Sequence, residues 1–214
     1  MTRRCSLHQS GEAETRTVPG SYFDATYARH EDPWGFGTRW YEERKRALTL
    51  AALPRERFDS AFEIGCSIGV LTEELTRRCG QLLSVDISQA AVDRAKSRLS
   101  RTSNLTIERA DVAEEYPSGP FDLVLLSEVG YYFALDDLHR LIVSIEGSLA
   151  TNGVLVACHW RHPVDDYPLS GDAVHQAIEE HGGLHRIVRH MEEDFVLEVF
   201  SPDPRSVAEQ TGLA

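Results

Sequence analysis

From residue 58 onward, short apolar runs alternate with amphipathic segments, and this alternation is the strongest constraint on the fold. The run FDLVLLS, residues 121–127, is unbroken and apolar, which is typical of a strand buried on both faces of a parallel sheet. Amphipathic helices separate such runs, as in DDLHRLIVSIEGSL at residues 136–149. The pattern predicts an α/β fold with a doubly wound, mostly parallel, Rossmann-like sheet. Five strands are predicted to begin at residues 58, 81, 105, 121 and 154.

The two ends of the chain differ from this repeat. HRIVRHMEED and FVLEVFSP, residues 185–202, predict an antiparallel C-terminal pair that brings the sheet to seven strands. Residues 22–41 hold seven of the eighteen aromatic residues. A helix is predicted to follow Thr38 as its N-cap, with Trp40, Ala47, Leu48 and Ala51 on one face and Pro54 at its end. We expect a flexible tail (1–20), an N-terminal helical cap (21–56) and a single main domain (57–214).

Composition excludes several classes of function. The net charge of −12 argues against a nucleic-acid surface, which needs clustered basic residues. The apolar runs are strand-sized, too short to span a membrane, and the polar N-terminus lacks the apolar core of a secretory signal. None of the four cysteines forms a C-x-x-C pair, so neither a zinc site nor a redox dithiol is predicted, and no metal is expected. We expect a cytoplasmic protein, monomeric because no long apolar helix face demands a partner.

The stretch AFEIGCSIG, residues 61–69, places a carboxylate and two glycines at the end of the first strand. Gly65 and Gly69 frame the turn into the next helix, where the backbone can approach a ligand closely. Glu63 precedes the turn and is suited to a positively charged group. A glycine turn alone is weak evidence for a nucleotide-like ligand.

Acids also follow the next strands. Asp86 lies 21 residues after Gly65, the separation at which an acid reaches ribose hydroxyls in dinucleotide folds. A helix cap is the alternative role for Asp86, although Ser88 is better placed for it. Asp111 and Val112 follow the third strand, where they could bind an adenine or form an ordinary surface turn. Glu128 follows the fourth strand, just where a reacting centre would lie.

Together these strand-end motifs resemble the class I S-adenosylmethionine-dependent methyltransferases over residues 58 to about 160. The family motif E/D-x-G-x-G-x-G is matched by E-I-G-C-S-I-G, with Ser67 at the middle glycine. The resemblance implies that Glu63 faces the amino group of the methionine moiety, directly or through water. It also implies that Asp86 binds the ribose and Asp111 with Val112 the adenine. The implied cofactor-binding set further includes Tyr22, Trp34, Arg39, Gly65, Cys66, Gly69, Ile87 and Ser127.

The N-terminal region narrows the resemblance. The motifs Y-F-D-x-x-Y, D-P-W-G-F and R-W-Y-E-E-R-K, within residues 22–45, closely resemble the start of the NodS family of nodulation N-methyltransferases. The resemblance implies methyl transfer from S-adenosylmethionine, with S-adenosylhomocysteine as product. The implied acceptor is the free amine of a partly deacetylated chitin oligosaccharide, a precursor of a lipo-chitooligosaccharide signal. Composition and spacing alone could not name that acceptor.

A sugar ammonium must lose a proton before it can attack a methyl group. Glu128 is the first candidate for the acceptor of that proton, and His159 at the end of the fifth strand is the weaker one. Tyr132 could shape the acceptor site. The aromatic rings of Tyr22, Trp34 and Trp40 could face the sulfonium or a sugar, or could simply pack the cap onto the domain. Arg39 could bind the cofactor carboxylate or pair with a neighbouring glutamate.

Three alternatives stay open at this level. A methyltransferase with another small-molecule acceptor would share every motif after residue 58. An NAD-dependent oxidoreductase would suit Gly65 and Asp86, but G-x-G-x-x-G is missing and Glu63 would repel a pyrophosphate. A non-catalytic protein that keeps the cofactor fold is the third.

Overall fold

Seven strands form one sheet in the computed structural model, which describes residues 16–214. Their order across the sheet is β3-β2-β1-β4-β5-β7-β6. Strands β1 to β5 run parallel to one another, whereas β7 is antiparallel to both β5 and β6. The predicted seven-stranded, mostly parallel sheet with an antiparallel C-terminal pair is confirmed. The strands are β1 Phe58–Ile64, β2 Cys79–Asp86, β3 Leu105–Arg109, β4 Phe121–Ser127, β5 Leu149–Trp160, β6 His185–Met191 and β7 Phe195–Ser201.

Helices cover both faces of the sheet and its carboxyl edge. The strand order reverses between β1 and β4, so a crevice opens beyond their carboxyl ends. The described helices are α1 Gly20–Arg29, α2 Trp40–Ala51, α3 Val70–Thr76, α4 Gln89–Arg98, α5 Leu135–Ser148, α6 Gly171–His181 and α7 Val207–Gln210, with a 3-10 turn at Gly130–Tyr132.

The core lies on the two faces of the sheet. Alternating residues of β4 divide between them: Val124 and Leu126 pack on one face, and Leu123 and Leu125 on the other. Helix α5 buries Leu138, Leu141, Ile142 and Ile145 on the first face, at the spacing of an amphipathic helix. This double burial explains why the β4 sequence is apolar without interruption.

Helix α2 differs from the sequence prediction in its buried face. It begins after Arg39 rather than Thr38, and Trp40 is 71% exposed. The buried residues are instead Glu42, Lys45 and Thr49. The hydrophobic pattern did not predict this face because its buried charges are paired with each other: Lys45 pairs with Glu42 of the same helix and with Glu128, which follows β4.

Two strand boundaries also differ from the prediction. Strand β2 begins at Cys79, ahead of the predicted residue 81. Strand β5 begins at Leu149, ahead of the predicted residue 154. The short helix α7 was not predicted. Residues 1–15 of the predicted tail lie outside the described residues.

Candidate functional site

A cavity of about 510 Å³ lies at the carboxyl ends of β1, β2, β3 and β4, beneath the N-terminal cap. The sheet side contributes residues that follow each strand, and the cap contributes aromatic and charged side chains from α1, α2 and the segment between them. The predicted site residues that line it are Trp34, Arg39, Gly65, Asp86, Ile87, Asp111, Val112, Ser127, Glu128 and Tyr132.

The turn after β1 brings backbone to the cavity wall. Gly65 has φ +80°, and a Cβ there would lie 2.3 Å from Cγ2 of Val129, so only glycine fits. Ser67, which occupies the middle glycine position, also adopts positive φ (50°). Its backbone N–H donates to Asp86 Oδ2 at 2.9 Å, and its hydroxyl lies 2.6 Å from the Tyr27 hydroxyl. These two contacts hold serine in a conformation that usually favours glycine.

Asp86 is held by backbone donors on both carboxylate oxygens. Oδ2 accepts from Ser67 N and Oδ1 from Ser88 N, each at 2.9 Å. Each oxygen keeps a further lone pair, so a diol of a ligand could still donate to it. Burial raises the pKa of Asp86 to about 6, although the two backbone bonds oppose the shift. Ser88 precedes α4 as predicted, but its hydroxyl donates to Asp24 and makes no cap bond.

Glu63 lies behind the cavity in an adjoining recess of about 50 Å³. Its side chain is buried, and Oε2 accepts from the hydroxyls of Thr72 and Ser84, both at 2.7 Å. Burial raises the pKa of the Glu63 carboxyl to about 7, against the lowering effect of these two bonds. The site therefore holds a carboxylate that a nearby cation would stabilise in its charged form.

Besides Glu63, three predicted cofactor residues do not line the cavity. Tyr22 packs edge-on against Phe23, with ring centroids 5.2 Å apart. Cys66 is buried beside the recess, and burial raises the pKa of its thiol well above the usual value. Gly69 caps α3, and a Cβ there would lie 3.1 Å from Ala95 of α4. Gly69 is thus explained by helix packing.

The cap presents Arg39, Lys45 and several aromatic rings to the cavity. Arg39 is exposed, and within residues 16–214 no carboxylate lies within salt-bridge distance of it. The predicted alternative, a pair with Glu42 or Glu43, is therefore not formed. Trp34 packs edge-on against Tyr27, with centroids 5.5 Å apart. An anionic group in the cavity would find Arg39 available.

Glu128 is the centre of a charged cluster in the cavity wall. Lys45 Nζ donates to its Oε1 at 2.9 Å and also pairs with Glu42 at 3.0 Å. Tyr131 Oη donates to Glu128 Oε2 at 2.6 Å, and Trp160 N approaches the same oxygen at 3.3 Å. Burial disfavours the Lys45 ammonium, but Glu128 and Glu42 more than offset this, so the pKa of Lys45 lies above its usual value. With both carboxylates ionised, the cluster carries one formal negative charge; burial raises the pKa of Glu42, and the Lys45 ammonium opposes that shift.

His159 does not reach the cavity, which corrects the prediction that it could accept a proton from a substrate. It is fully buried, and its Nε2 accepts from Gly130 N at 3.0 Å. Its Nδ1 lies 3.1 Å from His175 Nε2. Burial, reinforced by His175, lowers the pKa of His159 well below the usual range. Tyr132, by contrast, lines the cavity and donates its hydroxyl to Tyr167 at 3.1 Å.

Sequence reasoning missed Tyr27, Glu42 and Lys45 at this site. Tyr27 lies within the Y-F-D-x-x-Y motif, which could have indicated it. Glu42 and Lys45 occupy positions i and i+3 of a helix, and this spacing predicts that they are neighbours on its surface. Nothing local indicates that this pair is buried against Glu128, 83 residues further along the chain.

The strand order and the strand-end cavity define the class of protein: the chain has the class I S-adenosylmethionine-dependent methyltransferase fold. A protein of Pseudomonas syringae assigned as a methyltransferase is 44% identical, with a TM-score of 0.68 over 76% of this chain and 99% of that one. The NodS N-methyltransferase of Bradyrhizobium japonicum WM9, solved with S-adenosyl-L-homocysteine, has a TM-score of 0.76 at 24% identity, over 89% of this chain and 100% of that one.

The particular family follows from the sequence match. Residues 26–164, more than half of the chain, match the family profile of Nodulation protein S (NodS), and the chain belongs to this family. Nodulation protein S of Bradyrhizobium diazoefficiens is 30% identical over 128 residues. That alignment covers 59% of this chain and 61% of the relative, so the chain spans less than two thirds of its length. The predicted resemblance to the NodS family is confirmed.

Among the described residues, no helix combines the length and the apolar character that a membrane crossing requires.

Proposed function

We propose that this protein is an S-adenosylmethionine-dependent N-methyltransferase that acts on the free amine of the non-reducing-end glucosamine of a partly deacetylated chitooligosaccharide, in Nod factor biosynthesis. The observation that carries the proposal is that the NodS match extends from the cap through β5. It therefore includes the cavity wall from Tyr27 to Val164.

The residues present fit this cofactor by their chemistry. Asp86 and Asp111 supply acceptors for hydroxyl and amino groups, Val112 supplies an apolar surface, and Arg39 supplies a cation for a carboxylate. Glu63 lies in the adjoining recess and would accept a hydrogen bond from a water that bridges to the amino group of the cofactor. When bound, S-adenosylmethionine supplies a methyl group on a positively charged sulfur, and the aromatic rings of the cap favour such a charge.

The acceptor side of the proposal rests on the net charge of the Glu42–Lys45–Glu128 cluster. A wall with one excess negative charge attracts an ammonium and gives an uncharged N-acetyl group no such attraction. Glu128 binds and orients the amine and is the proposed acceptor of its proton. Trp160 and Tyr167 also line the cavity and offer flat surfaces of the kind on which sugar rings pack.

The proposal is tested by the rate of S-adenosylhomocysteine formation with a panel of acceptors. We expect turnover with a chitin oligomer deacetylated at its non-reducing end and none with the fully acetylated oligomer. Turnover only with an unrelated small amine would keep the methyltransferase and reject the sugar acceptor. Absence of turnover with every amine, despite binding of S-adenosylhomocysteine, would favour a non-catalytic protein.

A further inference from the structure

The turn that carries Glu128 is held from behind by a buried side chain. Glu128 has φ 58°, a left-handed conformation that is unfavourable for a non-glycine residue. Its backbone N–H donates to Cys158 O at 2.8 Å, and two residues later Gly130 N donates to the His159 imidazole. Strand β5 therefore fixes this turn at two points, one through its backbone and one through a side chain.

His159 is the first member of a buried chain of hydrogen bonds. Its Nδ1 lies 3.1 Å from His175 Nε2, and His175 Nδ1 lies 2.7 Å from Glu198 Oε2. His159, His175 and Glu198 are 0%, 5% and 1% exposed. Glu198 Oε1 in turn contacts Arg186 Nη1 at 3.3 Å and Arg189 Nε at 3.2 Å. The chain thus leads from the cavity turn, across α6, to charges at the antiparallel edge.

The backbone N–H of Gly130 determines the donor and the acceptor in each hydrogen bond of this series. Gly130 N–H can only donate, so His159 Nε2 accepts and the proton of this neutral ring must lie on Nδ1. That proton is donated to His175 Nε2, which leaves His175 with its own proton on Nδ1, directed at Glu198. Both rings are therefore neutral and carry Nδ1–H. Because an amide does not release its proton, the chain cannot deliver a proton to the cavity.

Space around Gly130 is also fully used. A Cβ on Gly130 would lie 2.5 Å from Val174 Cγ1 and 2.9 Å from His159 Nε2. The turn is therefore confined between α6 and β5, and a small shift of the His159 ring would move it.

We propose that Glu198, His175 and His159 are positioning residues, which hold the Glu128–Gly130 turn and thereby the Glu128 carboxylate in the geometry that binds the acceptor amine. This inference rests on the proposed function. The chain of hydrogen bonds places the His159 proton on Nδ1, so Nε2 is free to accept from Gly130 N. The bond to Gly130 N in turn holds the turn in which Glu128 has its left-handed conformation. The effect is expected mainly on the acceptor, since Asp86, Asp111 and Arg39 belong to β2, to the turn after β3 and to the cap, and only Ser127 of the predicted cofactor set directly precedes the turn.

The first test needs no acceptor. ¹⁵N-histidine NMR of the wild-type protein reports which ring nitrogen carries the proton, with single-histidine variants to assign the signals. We expect neutral, Nδ1-protonated rings for His159 and His175. An Nε2-protonated His159 would overturn the inference whatever the enzyme does.

The second test separates positioning from folding by two substitutions at one site. His159→Gln can place an amide oxygen where Nε2 lies, whereas His159→Met removes the acceptor. We expect His159→Met to lower kcat/KM for the deacetylated oligomer about tenfold, with the Kd of S-adenosylhomocysteine within twofold, and His159→Gln to regain most of the loss. The matched control is His181→Met, on the exposed end of the same helix as His175.

Equal losses in His159→Gln and His159→Met that merely follow their melting temperatures would overturn the positioning role. If His159→Met fails to fold, the inference is decided by the tautomers of His159 and His175 measured in the wild-type protein. If the wild-type protein transfers no methyl group to any amine, the proposed function fails, and the tautomer measurement still reports on the chain of hydrogen bonds.

Discussion

Glu128 is the residue on which the account of the acceptor site depends most. In Glu128→Gln the amide oxygen can keep the bonds from Tyr131 and Trp160 N, but the amide NH2 then faces the Lys45 ammonium, and the negative charge is lost. We expect kcat/KM for the amine acceptor to fall about 100-fold, because both amine binding and proton acceptance need the carboxylate. The Kd of S-adenosylhomocysteine should change little. Glu114→Gln, an exposed acid outside the cavity, is the control; equal activity of the two variants would exclude Glu128 from the reaction.

Glu63 gives a residue-scale prediction for pH. Its pKa is raised in the folded protein, from 4.5 to about 7, so the folded state holds this proton more tightly than the unfolded chain. The resulting stabilisation is complete below about pH 4.5 and is lost as the pH rises through 7. The expected loss is about 3 kcal/mol for the ligand-free protein. Glu63→Gln should remove this dependence, as measured by urea unfolding from pH 4 to 8; an identical pH profile in both proteins would contradict the shift.

At the scale of elements, α2 is held by buried charge. Lys45→Met leaves the buried carboxylates of Glu42 and Glu128 without their shared cation. We expect a loss of about 3 kcal/mol in the free energy of unfolding, because an uncompensated buried charge is expensive. The chain has one other lysine in the described residues, Lys96, which is exposed on α4. Lys96→Met should change stability by no more than about 0.5 kcal/mol, and a similar change in Lys45→Met would contradict the assigned role.

The elements also show which parts of the fold and of the site could be predicted from the sequence. The positions of Gly65, Asp86 and Glu128 around one cavity follow from the strand-helix alternation, because parallel strands place their carboxyl ends on one edge. The buried face of α2 could not be predicted, since the hydrophobic pattern favours Trp40 and the partner of Lys45 is distant in sequence. The Lys45 side chain can be buried because the fold brings the Glu128 carboxylate next to it, and the local sequence does not show this.

The role of His159 shows a related limit. Its position at the end of β5 was predicted, and strand ends of this kind supply functional groups. Its burial depends on α6, which packs His175 against it, and on β7, which supplies Glu198. No short motif connects these three residues, so the sequence could not separate a catalytic histidine from a positioning one.

At the scale of the whole molecule, ligand binding should stabilise the fold, because the proposed cofactor site joins the cap to three strand ends. At 100 times its Kd, S-adenosylhomocysteine should add about 2.7 kcal/mol, which corresponds to a rise in Tm of about 5–10 °C. NAD at the same concentration should give no rise. Stabilisation by NAD alone would revive the oxidoreductase interpretation.

The most direct test of the central claim is to locate the transferred methyl group. Purified protein, S-adenosylmethionine and a chitin oligomer deacetylated at its non-reducing end would be incubated, and the product fragmented by tandem mass spectrometry. We predict the added methyl mass on the amino nitrogen of the terminal glucosamine, with S-adenosylhomocysteine formed in equal amount. A methyl group on a hydroxyl or on an acetylated residue, or no product from a protein that binds S-adenosylhomocysteine, would contradict the account.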